Sequence, residues 1–374
     1  MHKIYKFDDI VVNSTTKKKP EEIDRLHYIG LEHIDSGTFE ISRWGSDIAP
    51  IGDKLVMKKG DVLFGKRRAY QRKVAVAPFD GIFSAHGMVL RPKEDVICKE
   101  YFPFFISSNQ FMDTAVRISV GGLSPTVNWK DLQKQEFELP TISQQRVLAD
   151  KLWAAYNLKE AYKKMNSAID EMVKSQFIEM FGNPNRNTKG FNQYAISDIF
   201  DLQMGKTPER DNQNYWNKGV NIWISISDMQ DDCKYVGDSK EYITDMAVSE
   251  SGIKIIPQGT LLMSFKLTIG RVAIADKDIY TNEAIMAFKD KCVVELSQQW
   301  LYNLLTQYDW LGNASQAAKG KTLNKEIIGR SIVSIPPIEM QEEFATIVQQ
   351  ADKSKFELKQ AIDKIEKVMK SLLQ

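Results

Sequence analysis

The stretch EMQEEFATIVQQADKSKFELKQAIDKIEKVMKSLLQ, residues 339–374, decides how this chain is read, because a counterpart already occurs at Ser143 to Met180. Stepping alternately four and three residues from Phe344 lands on Phe344, Val348, Ala351, Lys355, Leu358, Ile362, Ile365, Met369 and Leu372. That is a heptad seam, the pattern of a helix that buries one stripe against another helix. The positions 196 residues earlier are Leu148, Leu152, Ala155, Lys159, Tyr162, Asn166, Ile169, Val173 and Gln176, apolar for most of their length, with the seam lysine repeated. A helix of about 37 residues is about 55 Å long at a rise of ~1.5 Å per residue, more than a globular helix needs. A single such run would lie on its own domain or mediate oligomerisation. Two runs, each closing a similar module, are expected to pair as an antiparallel coiled coil that holds the modules apart.

Length and composition bound the rest. The 374 residues suffice for two ordinary domains with connecting elements, and 43% hydrophobic with 26% charged residues describes a soluble globular protein. Charge interrupts every apolar run well before the roughly 18 residues a membrane span needs, and MHKIYKFDDIVV at the start lacks a signal-peptide core. A cytoplasmic protein with no membrane association is expected. Cys98, Cys233 and Cys292 are scattered and odd in number, so they suggest neither a disulfide frame nor a zinc site and read as small buried residues. The formal charge of +1 argues neither for nor against nucleic acid, but eight basic residues and one acid, Asp61, lie between Lys54 and Lys73. A charge run is commonly a solvated face. This one interrupts a strand pattern.

In order, residues 1–141 read as mixed strands and short helices, with apolar runs such as KLVMKKGDVLF, VAVAPF and GMVLRP bounded by Gly, Pro and Asp. A long helix over 142–181 follows, signalled by Pro140, Thr141 and Ser143 and stopped by Gly182, Asn183 and Pro184. Residues 182–337 repeat the mixed pattern, and a second long helix occupies 338–374. The repetition is traceable in matched segments. KFDDI at 6–10 answers AISDI at 195–199, GDVLF at 60–64 answers GTLLM at 259–263, and VAVA at 74–77 answers VAIA at 272–275. FSAHGMVL at 83–90 answers YTNEAIMA at 280–287, SPTVNWKDL at 124–132 answers GKTLNKEII at 320–328, and FELPTISQQ at 137–145 answers VSIPPIEMQ at 333–341. The chain is a tandem duplication, and its expected fold class is mixed α/β with an internal pseudo-twofold repeat.

The Gly-Asp-Val-Leu hairpin, the Thr-x-Asn segment, the Ile-Pro-Pro-Ile-Glu-x-Gln lead into a coiled-coil helix and GKTP at 205–208 together resemble the DNA-specificity (S) subunits of type I restriction-modification systems. The resemblance covers essentially the whole chain. It implies two target recognition domains, each reading one half of a split, asymmetric site on double-stranded DNA, with the helices setting the spacer and docking two methyltransferase subunits. Motor-nuclease subunits would join for cleavage. It implies no cofactor on this chain, since S-adenosylmethionine, ATP and Mg would belong to the partners. The competing reading is a coiled-coil scaffold that binds only proteins.

Within each module a strand, a loop and a second strand form a hairpin. The first loop, GKRRAYQRK over Gly65 to Lys73, offers both phosphate neutralisation and bidentate base reading, so Lys66, Arg67, Arg68, Gln71 and Arg72 are candidate contacts. In the second module the loop offers Lys266, Thr268 and Arg271. A further set sits before each long helix: Arg117, Ser119 and Ser124 around Gly121-Gly122, and Lys319, Lys321 and Thr322 around Gly320, where glycine lets the backbone approach a phosphate. Lys206 and Thr207 of GKTPER could likewise meet a phosphate, although the run lacks the upstream glycine of a nucleotide-binding loop. Tyr215, Trp216 and Trp223 read as core aromatics. No methyltransferase motif, nuclease carboxylate set or metal spacing is found among His2, His27, His33 and His86 and their neighbours, so a non-catalytic chain is expected.

Overall fold

A computed structural model describes residues 3–230, 234–266, 268–312 and 323–373. They divide into two compact units, one of residues 1–163 with 359–374 and one of residues 164–358. Each unit therefore holds a mixed α/β module together with stretches of both long helices, Ile142–Phe181 and Ile338–Leu372.

In the first unit a four-stranded sheet has the order Val11–Ser14, Met88–Pro92, Val62–Phe64 and Val74–Val76. A second sheet has the order Lys17–Lys18, Lys54–Met57, Gly81–Phe83 and Tyr28–Ile29. The second unit repeats both. Its larger sheet runs Phe200–Met204, Ile285–Asp290, Leu261–Ser264, Val272–Ala275 and Tyr235–Val236, and its smaller one Tyr242–Ile243, Asn221–Ile224 and Tyr280–Thr281. The duplication reaches individual registers. Lys3–Lys6 pairs antiparallel with Glu136–Leu139 just before the first long helix, and Asn192–Ala195 pairs in the same way with Ile332–Ile335 just before the second. The KFDDI and AISDI segments become matching single-turn helices, Phe7–Ile10 and Ile196–Ile199.

Apart from the buried Ser264, the hairpin strands of each module are apolar, because helices cover one side of the sheet and the smaller sheet the other. Phe64, Phe111, Phe105 and Phe137 interlock in the first core, with Phe64–Phe111 centroids 5.2 Å apart. Trp300, Met263 and Phe288 fill the corresponding core of the second unit.

The long helices run antiparallel in each unit. In the first, Lys159 faces Glu366, and in the second Asp170 faces Lys355 while Phe177 and Phe181 close on Phe344 at centroid separations of 5.4 and 5.5 Å. Burying one such phenylalanine contributes about 1.5–3 kcal/mol. Every seam position named from the sequence is buried or half-buried. The two seam lysines are satisfied differently. Lys159 is 5% exposed and donates to the Gly37 carbonyl at 2.8 Å, and burial pushes its pKa down. Lys355 is half-buried and donates to the Asp170 carboxylate at 2.6 Å.

A buried glutamine explains the proline-led entry to each helix. Gln145 has no exposed surface: its carbonyl accepts from the Cys98 amide at 2.7 Å, and its amide donates to the carbonyls of Pro140 at 2.9 Å and Val96 at 3.1 Å. Gln341, equally buried, accepts from the Ser297 amide at 2.9 Å and donates to Pro336 at 2.9 Å and Glu295 at 3.4 Å. Each clamp satisfies main-chain groups that a loop packed under a helix would otherwise leave unpaired. Gly182, at φ 79°, ends the first long helix in the left-handed conformation that favours glycine.

One expectation fails on a cysteine. Cys98 is buried, but Cys292 is exposed in a turn at φ 55°, and Cys233 lies outside the described residues. Among the described residues no helix is long and apolar enough to cross a membrane, and no cluster of metal-ligating side chains occurs.

Candidate nucleic-acid interface

In the first unit the structure brings two separate candidate stretches into one surface. The loop after Val62–Phe64 and the glycine-containing turn before the first long helix are knitted by main-chain bonds: the Arg68 amide donates to the Pro125 carbonyl at 2.7 Å and the Val127 amide to Lys66 at 2.9 Å. Arg67 and Val120 both bridge to Thr126. Gly121, at φ 116°, takes a backbone conformation that L side chains rarely adopt, and the turn carries Leu123 at its tip, 97% exposed. Arg68 (φ 57°) and Arg72 (φ 52°) bracket the turn Ala69–Gln71 in left-handed conformations, a strain of about 1–2 kcal/mol each that the buried Ala69 and the surrounding bonds hold in place.

The side chains on this surface divide. Arg67 and Arg68 are exposed; the Arg68 Nε donates to the Ser124 hydroxyl at 3.2 Å, and an Arg67 Nη1 lies 3.5 Å from the Nε2 of His86. Gln71 is half-buried. Lys66 is half-buried, and burial followed by the nearby Lys17 lowers its pKa. Arg72 is committed to the framework, donating to the Ser107 carbonyl at 3.1 Å and to Asn109 at 2.8 Å. Arg117 donates to Gln135 at 3.2 Å, and the Ser119 hydroxyl donates to the Val116 carbonyl at 2.7 Å. Asp61, the one acid of the basic run, is 6% exposed and faces inward, receiving Arg91 at 2.7 and 2.8 Å. The acid is thereby withdrawn from the surface that carries the loop's arginines.

His86 was not among the sequence candidates. It sits at the corner between Gly81–Phe83 and Met88–Pro92, and burial, then Arg67, Lys66 and Lys54, hold its pKa below the ordinary histidine value. Its signal in the sequence was its place opposite Glu283 in the repeat.

In the second unit GKTP is placed by close approach. Chain 205–209 is irregular and follows the strand Phe200–Met204, and a Cβ on Gly205 would lie 2.2–2.3 Å from the Asn282 and Thr281 carbonyls. The missing side chain lets the Lys206 amide donate to the Thr281 carbonyl at 2.8 Å, which delivers the Thr207 hydroxyl to the Glu283 carboxylate. The Lys206 ammonium donates to the Ser251 carbonyl. Arg210 is paired with Glu241 and lies over Trp216 and Trp223, 4.1 and 4.6 Å from their ring centroids. Trp223 is buried, with Tyr215 and Trp216 packed beside it, so these aromatics belong to a core as their sequence context suggested. Lys266 is half-buried with its ammonium 5.5 Å from the Phe265 ring, Thr268 is exposed, and Arg271 is half-buried with one nitrogen 3.4 Å from the Met229 carbonyl. Lys319, Lys321 and Thr322 lie outside the described residues.

A duplicated α/β module, each copy carrying a loop-built polar surface and closed by part of an antiparallel pair of long helices, defines a class of two-module recognition proteins. The chain belongs to the type I restriction modification DNA specificity domain family, whose model matches it twice, over residues 3–170 and 188–367. It is 28% identical over 167 residues to the type I restriction enzyme MjaIX specificity subunit of Methanocaldococcus jannaschii, across 44% of this chain and 38% of that protein. It therefore spans well under half of that relative in the matched region. With the putative type I restriction enzyme MjaX specificity subunit of the same organism it shares 22% identity across 98% of this chain and 90% of that one. A solved structure described as the basis of complex assembly and conformational transition of the type I R-M system superposes with a TM-score of 0.60 at 17% identity, covering 100% of this chain and 96% of that chain. At that identity the likeness is one of fold.

Proposed function

We propose that the chain is the sequence reader of a type I restriction-modification complex, with each unit reading one half of a split site on double-stranded DNA. The helix pair fixes the spacer and docks two methyltransferase subunits, and motor-nuclease subunits join for cleavage. The chain performs no catalysis itself; its partners bind S-adenosylmethionine, ATP and Mg and flip the target adenine in the cytoplasm. The observation that carries this reading is the joining of residues 65–73 and 118–127 into one surface that presents Arg67 and Arg68 while the acid of the same run points inward. Within the first unit, Arg67, Arg68, Gln71 and Ser124 are the proposed contacts, with Lys66, Arg117 and Ser119 lending charge and shape and Arg72 holding the loop. In the second, Lys206, Thr207, Lys266 and Thr268 are the proposed contacts and Arg271 the support; Lys319, Lys321 and Thr322 are proposed from sequence alone.

Selection from randomised duplexes by the chain in complex with its methyltransferase subunits is expected to return two unlike half-sites separated by unread base pairs, with affinity falling steeply as salt rises. A single contiguous motif, or binding indifferent to salt, contradicts the reading and favours a protein-only scaffold.

A further inference from the structure

The corner between Tyr280–Thr281 and Ile285–Asp290 places a carboxylate where the first unit has an imidazole. Glu283 is exposed, and it accepts from the Thr207 hydroxyl that GKTP delivers to it. That hydrogen bond first, and the nearby Lys266 and Arg210 after it, favour its ionised form. Two of the cations around it are otherwise engaged: Arg210 is held by Glu241 and two tryptophans, and the Lys206 ammonium rests on the Ser251 carbonyl. The corner thus presents a positioned acceptor among residues that would meet DNA.

Such an acceptor is costly against a phosphate backbone. Two like charges a few ångströms apart repel, and no proton is available near neutral pH to relieve them. A carboxylate is useful on a DNA-facing loop where it meets a hydrogen-bond donor, and the base edges of the major groove supply donors only as the exocyclic amino groups, N4 of cytosine and N6 of adenine. We propose that Glu283 is a specificity-determining residue that accepts a hydrogen bond from a cytosine N4 or adenine N6 amino group in the half-site read by the second unit. Thr207 is its positioning residue: the hydroxyl fixes one carboxylate oxygen, and the backbone that carries it is fixed in turn by Gly205. This inference rests on the DNA-reading assignment above and adds a base-level role to it.

The test is binding-site selection with the full chain in its methyltransferase complex, comparing wild type with Glu283→Gln and Glu283→Ala. Wild type is expected to require cytosine or adenine at one position of one half-site, and the selected base distinguishes the two donors. Glu283→Ala, which removes the acceptor, should lower that preference about tenfold or more, the worth of a good base contact, whereas Glu283→Gln keeps a carbonyl acceptor, adds a donor and should favour adenine over cytosine at that position. The other half-site should be unchanged. Removing the charge should also strengthen binding to unrelated duplex. Preference unchanged at every position in Glu283→Ala, or a uniform loss across both half-sites with thermal stability intact, overturns the inference while leaving the reader assignment standing. A wild-type complex that selects no motif overturns the assignment itself. Thr207→Ser should keep the wild-type preference and Thr207→Val should weaken it at the same position; a Thr207→Val loss spread over all positions would count against the positioning role.

Discussion

The corner at His86 and the corner at Glu283 follow equivalent short strands, each paired parallel to a partner strand in its smaller sheet, yet one places an imidazole among basic neighbours and the other a carboxylate. His86 faces Arg67, Lys66 and Lys54, whereas Glu283 faces Thr207, Lys266 and Arg210. The buried clamps at Gln145 and Gln341 have instead kept the same partners in kind: one loop amide, the proline carbonyl five residues back, and one further carbonyl. A buried amide surrounded by main-chain groups has few substitutes, because any replacement leaves donors and acceptors without water. An exposed corner can change charge at little structural cost. Duplication has therefore held the framework and released the tips.

The largest expected effect breaks the symmetry of the framework. Gln145→Leu leaves the Cys98 amide and two carbonyls unpaired beneath the helix, at about 1–3 kcal/mol for each group that water cannot reach, so a loss of about 3 kcal/mol or more is expected. Gln341→Leu should cost the same or slightly less, since its longest bond is 3.4 Å against 3.1 Å in the first clamp. Amide exchange reads the two separately, at Cys98 for one variant and Ser297 for the other. Protection that survives at Cys98 in Gln145→Leu would show that the clamp is not what orders the loop.

Much of the framework was legible in the sequence, because seam periodicity, proline-led helix entries and hairpin patterns are local and repeated. The heptad stepping found positions that are buried or half-buried throughout both helices. The site was less legible, because nothing in residues 65–73 distinguishes Arg67, which is exposed, from Arg72, which is spent on Ser107 and Asn109 more than thirty positions away in the chain. GKTP offers Lys206 and Thr207 to a phosphate on sequence alone, and the close main-chain approach of its glycine to Thr281 and Asn282 is revealed only by the folded sheet. His86 and Glu283 are aligned in the repeat, but an imidazole matched with a carboxylate reads as divergence until their neighbours are known.

A smaller effect tests the first corner. Arg67→Ala removes an exposed guanidinium from the surface formed by the two loops, and an arginine reading a base edge is worth about 1–3 kcal/mol, a loss of about 5- to 150-fold in affinity. A loss concentrated at one base position marks Arg67 as a base reader; a loss equal across sequences, with a shallower salt dependence, marks it as a phosphate contact. An unchanged affinity would remove it from the interface and leave the first unit's surface resting on Arg68 and Gln71.

The smallest expected effect is a proton. In the free protein His86 is kept largely neutral by partial burial and by Arg67, Lys66 and Lys54, and its Nε2 can accept from the Arg67 guanidinium 3.5 Å away. A phosphate oxygen placed between them would turn both into donors and reverse the local field, raising the pKa in the complex. Binding would then take up as much as one proton, so affinity should rise by up to about tenfold per pH unit as pH falls through the pKa of the complex, levelling off below that of the free protein. Folding responds in the opposite sense. A histidine whose folded pKa lies below its unfolded value of 6.5 is protonated more readily when unfolded, so its contribution to stability is lost as pH falls from 6.5 through the folded pKa. His86→Gln should flatten the pH dependence of DNA affinity and leave that of the Glu283 corner in place. Affinity profiles that coincide for wild type and His86→Gln between about pH 5.5 and 7.5, about one unit either side of an ordinary histidine, would place His86 away from the phosphates and confine the contrast between the corners to Glu283.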